Sequence, residues 1–85
     1  MSSTQKRRRQ RQRAHALARA RQRYGVRLSC GEYERLLAQI INGAAPELKR
    51  LPDGAAVHLV RHRHVTLAAV FRDCPQRITT FLQRP

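Results

Sequence analysis

The chain has 85 residues, with 18 Lys/Arg against five Asp/Glu and a formal charge of +13. So short a chain buries only about 60% of its unfolded surface, which excludes a large enzyme cleft inside one chain. No apolar run approaches the roughly 20 residues of a membrane span.

The first residues carry no apolar h-region, so export is not expected. Cys30 and Cys74 then read as reduced thiols, and the expected location is cytoplasmic. Charge is unevenly placed. Residues 1–23 hold nine Lys/Arg and no acid, giving +9; the other nine Lys/Arg less the five acids leave +4 on residues 24–85.

Residues 1–13 form a basic tail, either flexible or extending the helix that follows. Blocks of like charge repel one another and tend to stay disordered when free. Residues 14–85 form a single domain. Ala14, Ala16, Leu17, Ala18 and Ala20 favour helix, so a first helix is read from about Gln10, or earlier, to Tyr24, stopped by Gly25. On it Ala16, Leu17, Ala20 and Tyr24 share one face, with His15, Arg19 and Gln22 opposite.

Ser29-Cys30-Gly31-Glu32 fits a capping box. Behind it Tyr33, Leu36, Leu37, Ile40 and Ile41 repeat at three and four, an amphipathic second helix ended by Gly43. Ala44–Gly54, with Pro46, Pro52 and Asp53-Gly54, reads as a loop. Three strand-like runs follow: Val57–Arg61, Val65–Arg72 and Arg77–Leu82, the last after the turn Asp73-Cys74-Pro75-Gln76. The expected fold class is α+β, two N-terminal helices packed on a three-stranded antiparallel β-meander, with a basic N-terminal extension.

The arginine-rich start is the strongest chemical signal. Lys6, Arg7, Arg8, Arg9, Arg11 and Arg13, continued by Arg19 and joined from the strands by Arg61 and Arg63, would neutralise phosphates and release counterions. Nucleic acid is the expected partner, RNA before DNA. A membrane surface is disfavoured because the cationic helix lacks a bulky apolar face, and a small-molecule ligand is not expected.

His15 lies on the cationic face with Arg19 one turn on, the arrangement a general base beside cations would need for phosphodiester cleavage. His58, His62 and His64 with Cys74 invite a zinc reading. On a regular strand, however, His58 and His62 stand roughly 13 Å apart, too far for one zinc. No metal or other cofactor is expected, and these histidines are placed on an exposed sheet face. Thr79 and Thr80 should point to opposite faces of the last strand.

One pattern covers residues 14–83. His15-Ala16 opens a helix ending in Arg23-Tyr24-Gly25-Val26, with Leu28 and a capped second helix after it. That helix closes on Ile40-Ile41-Asn42-Gly43, and strands ending Val70-Phe71-Arg72-Asp73 and Ile78-Thr79-Thr80-Phe81-Leu82 follow. This resembles the small proteins related to the barnase, colicin D and RelE type of toxin ribonuclease fold, some of them phage- or prophage-borne. The resemblance implies metal-independent ribonuclease chemistry, with His15 as base, Arg19 or Arg23 as the basic group, and Thr79 or Thr80 as the strand hydroxyl. It also admits a non-catalytic alternative, a small phage-type inhibitor that binds an acidic host protein through its basic surface.

Overall fold

The computed structural model describes residues 2–73 and 75–83, with side chains described from Arg11 onward. Two helices, α1 (Ser2–Tyr24) and α2 (Cys30–Ile41), precede four strands: β1 (Glu47–Arg50), β2 (Ala56–His62), β3 (Val65–Asp73) and β4 (Gln76–Leu82). The strands pair in sequence order β1-β2-β3-β4, every neighbour antiparallel. The class is therefore α+β, and the sheet has four strands where three were expected.

The added strand is β1, inside the segment read as a loop. All four of its residues are exposed, and Leu48, the one apolar residue among them, is 52% exposed. Its pairing of Glu47 with His58 and Arg50 with Ala56 makes it a strand. Burial contributes little, so no apolar alternation marks it.

α1 runs as one helix from Ser2, so residues 2–13 extend it. Between Ser2 and Arg13 there is no apolar residue. Burial begins with Ala16 and Ala20, and Leu17 and Tyr24 pack on the same cluster. Gly25, at φ +67°, turns the chain out of the helix in a conformation that costs a residue with a Cβ. Its amide still donates to the Arg21 carbonyl at 3.0 Å.

α2 starts on the expected box. The Ser29 hydroxyl accepts from the Glu32 amide, and the Glu32 carboxylate accepts from the Ser29 amide. It ends in a Schellman motif, Ala44 N–H donating to Gln39 C=O and Gly43 N–H to Ile40 C=O, with Gly43 at φ +78°. Tyr33, Leu36, Leu37 and Ile40 are buried, but Ile41, read as part of the stripe, is 47% exposed.

Both helices cover one sheet face, where Val60, Leu67, Ala69, Ile78 and Phe81 complete the main core. A smaller cluster of Ala55, Val57, Ala68 and Val70 lies under Leu51, Leu59 and Leu82. Its strand residues alternate with those of the main core, which places it on the other face.

Helix side chains then secure the strands. The Tyr33 hydroxyl accepts from Ile78 N–H at 3.0 Å and donates to Ile78 C=O at 2.9 Å. Tyr24 Oη donates to Leu82 C=O and accepts from Ala68 N–H, standing between two paired residues of β3 and β4. Gln39 of α2 makes the same two-bond contact with the peptide groups of Arg61, past the end of β1.

Candidate nucleic-acid interface

α1 supplies most of the charge. Of its described cations, Arg11 and Arg21 are exposed and Arg13 and Arg19 half-buried. Arg19 Nη1 donates to Gln22 Oε1 at 2.9 Å, a contact one turn along the helix. Arg23 donates to Phe81 C=O at 2.7 Å, which ties the last turn of α1 to β4. Arg21 and Arg23 both lie in that last turn, where cations complement the helix dipole. The cations of residues 2–13 have no such benefit at the N-terminal end; Lys6, Arg7, Arg8 and Arg9 lie outside the described side chains.

The β2–β3 hairpin makes a second basic surface. Its two-residue turn, Arg63-His64, joins the paired residues His62 and Val65, and Arg63 is the one non-glycine residue with positive φ, +56°, among those described. Side chains avoid this region at a cost of roughly 1–2 kcal/mol. Against the hairpin lies a cleft of about 470 Å³ lined by Arg27, Glu32, His62, Arg63 and His64 with Val26.

The one carboxylate there is already engaged. Glu32 accepts from Ser29 N–H at 2.9 Å and lies 3.4 Å from His62 Nε2. The cap hydrogen bonds, with a smaller contribution from His62 and Arg63, hold its pKa below the usual carboxylate value of 4.5. Arg27 and Arg63 have no ion pair among the described residues. Arg27 was not singled out in the sequence, since only the folded loop brings it beside the hairpin.

The residues named for phosphodiester chemistry are dispersed. His15 is exposed on α1. Thr80 pairs with Val70 of the smaller cluster and so lies on the face away from the helices, and Thr79 is the unpaired residue where the β3–β4 register shifts. The bulge brings both Ile78 and Phe81 into the main core. Thr79 Oγ1 donates to Val70 C=O at 3.3 Å. Arg23 is occupied at Phe81, and Tyr33 has its pKa raised, chiefly by burial.

The strand histidines also differ from expectation. His58 is half-buried toward the helices, its Nδ1 2.9 Å from Ala45 O and its ring edge-on to Phe71 at 5.8 Å. Even-numbered positions of β2 face the helices, so His62 reaches Glu32 there instead of an open sheet face. Among the described residues no three His, Cys, Asp or Glu side chains converge on a metal position; Cys74 lies outside them. Cys30 is a free, exposed thiol at the start of α2. No described helix is long and apolar enough to cross a membrane. No family model, curated protein or solved structure matches this chain.

Proposed function

We propose that this protein binds nucleic acid, with RNA as the polynucleotide, by gripping the phosphate backbone without reading sequence. One observation carries the reading: α1 is a continuous 23-residue helix with nine Lys/Arg and no acid. At about 1.5 Å per residue it is roughly 34 Å long, and apolar burial begins only at Ala16. A helical row of cations with no apolar residue from Ser2 to Arg13 suits a polyanion. Arg27 and Arg63 beside the β2–β3 hairpin offer a second contact, while Arg61, at an odd position of β2, lies on the sheet face away from the helices. The proposal is for binding alone, because His15 is exposed on α1 while Thr80 lies on the sheet face away from the helices. RNA is preferred over DNA on the resemblance to toxin ribonucleases.

The test is the salt dependence of binding to a fluorescein-labelled single-stranded RNA, with duplex DNA in parallel. Each phosphate contact contributes about 0.7 to the slope of log affinity against log salt on single strands and about 0.9 on duplex DNA. Replacing Lys6, Arg7, Arg8, Arg9, Arg11 and Arg13 by Gln should flatten the RNA slope by up to about 4. An unchanged slope would show that α1 does not touch the backbone. Preference for an acidic protein over RNA at equal ionic strength would favour the inhibitor alternative.

A further inference from the structure

We infer that the cleft between α1, α2 and the β3–β4 turn is a discrete phosphate site, formed by the guanidinium groups of Arg13 and Arg77, that takes one phosphodiester of the bound strand. The inference rests on the nucleic-acid reading above and assigns it a specific seat. The cleft encloses about 420 Å³ and is lined by Gln12, Arg13, Glu34, Gln76 and Arg77 beside the buried Tyr33.

Three observations converge on it. First, two guanidinium groups and one carboxylate line the cleft, yet none of the three is in an ion pair: the ion pairs among the described residues are Arg50–Glu47, His62–Glu32 and Arg72–Asp53. Second, Arg77 Nε is buried and has no hydrogen-bond partner among the described residues. Folded proteins seldom leave a buried donor so, and with Nε shielded from the cleft it is the terminal Nη groups that an oxygen of the strand would meet. Third, Arg77 Nη1 donates to Pro75 C=O at 2.9 Å, which fixes the guanidinium at the turn. A held fork loses little freedom on meeting two oxygens of one phosphate.

The neighbours identify the source of the phosphate. Arg13 is the last of the six cations in the N-terminal part of α1, so a strand lying along that helix passes over the cleft. Both guanidinium groups lie near enough to the Tyr33 hydroxyl to favour its ionised form, although burial outweighs them. The Gln12 and Gln76 amides donate and accept, as a ribose hydroxyl or base edge requires. Glu34, an anion in the lining, disfavours a doubly charged free phosphate more than a singly charged diester.

The test follows the Arg77 Nε–Hε resonance in the full-length, isotope-labelled chain during titration with single-stranded RNA. Inorganic phosphate is a second arm and sodium chloride at matched ionic strength is the control. A saturable shift with RNA, absent with chloride, is expected. R77Q should weaken RNA binding roughly tenfold, the scale of one charged hydrogen-bonded contact, and lower the salt slope by about 0.7. R77K, which keeps the charge without the fork, should keep the slope and lose part of the affinity. Unchanged backbone amide signals outside the turn would show that both variants fold.

A silent Arg77 Nε with undiminished R77Q affinity overturns the inference, while loss of binding on neutralising Lys6–Arg11 leaves the broader reading standing. A shift with inorganic phosphate but none with RNA overturns the assignment to a polynucleotide. If the wild-type chain binds no RNA at all, the broader reading fails, and the diester seat fails with it.

Discussion

Tyr33→Phe isolates one hydroxyl on which two backbone groups depend. The ring stays, so the volume of a side chain only 4% exposed is kept. What goes is the oxygen that accepts from Ile78 N–H at 3.0 Å and donates to Ile78 C=O at 2.9 Å. Ile78 is fully buried, and its peptide groups point at Tyr33. Each stranded group costs about 1–3 kcal/mol, so the variant should lose about 2–6 kcal/mol. Against a total stability of about 5–15 kcal/mol for native domains, that is a large share.

Tyr24→Phe is the matched control. It also removes a two-bond hydroxyl, at Ala68 and Leu82, but Tyr24 is half-exposed and water can reach the vacated groups. A loss of about 1 kcal/mol is expected there. Urea unfolding with an unchanged m-value near 1 kcal/mol/M would read the Tyr33 effect as a midpoint lowered by about 2 M or more. A Tyr33→Phe midpoint within about 0.5 M of wild type, or a larger loss in Tyr24→Phe, would refute the reasoning.

Three further outcomes follow from packing, backbone and charge. Leu36→Ala, at a site 1% exposed, should cost about 2–5 kcal/mol; Ile41→Ala, on the same helix at 47% exposure, should stay within about 0.5 kcal/mol in the same urea assay. Arg63→Gly relieves the φ of +56° and should raise stability by about 0.5–1 kcal/mol in thermal melts, so a lowered melting point would contradict the assigned strain. Glu32 has a folded pKa below its ordinary 4.5, so the unfolded chain binds its proton first as pH falls. Its stabilisation is present above pH 4.5 and is lost as pH drops through the folded value. Midpoints measured through this range should fall less steeply in Glu32→Gln than in wild type, and parallel curves would contradict the cap's contribution.

The parts of the fold legible in the sequence were those whose own residues specify them. Ser29 and Glu32 sit at the spacing a capping box needs, and Tyr33, Leu36, Leu37 and Ile40 repeat with the helical period they then bury. β1 was not legible, because exposed Glu47, Leu48, Lys49 and Arg50 become a strand only through pairing with β2. The bulge at Thr79 was not legible for a related reason. A one-residue bulge depends on the partner strand and on the helix above, and it reverses alternation without any residue that announces it. Of the candidate interface, the charge of α1 was plain from composition. Arg27 and Arg77 were not, since each gains its surroundings only when a turn is folded beside a helix.

The closing of β4 has a consequence for how this protein can meet another chain. Where Tyr33 covers both peptide groups of Ile78 and Arg23 covers Phe81 C=O, an incoming strand finds no row of free main-chain donors and acceptors. The opposite edge is β1, four residues between Pro46 and Pro52, offering about 13 Å of backbone guarded by Glu47, Lys49 and Arg50. Recognition by strand addition, the main-chain mode that tolerates many sequences, is therefore nearly shut. A partner would then have to be held by side chains, and blocked edges of this kind also disfavour joining sheet to sheet into fibres.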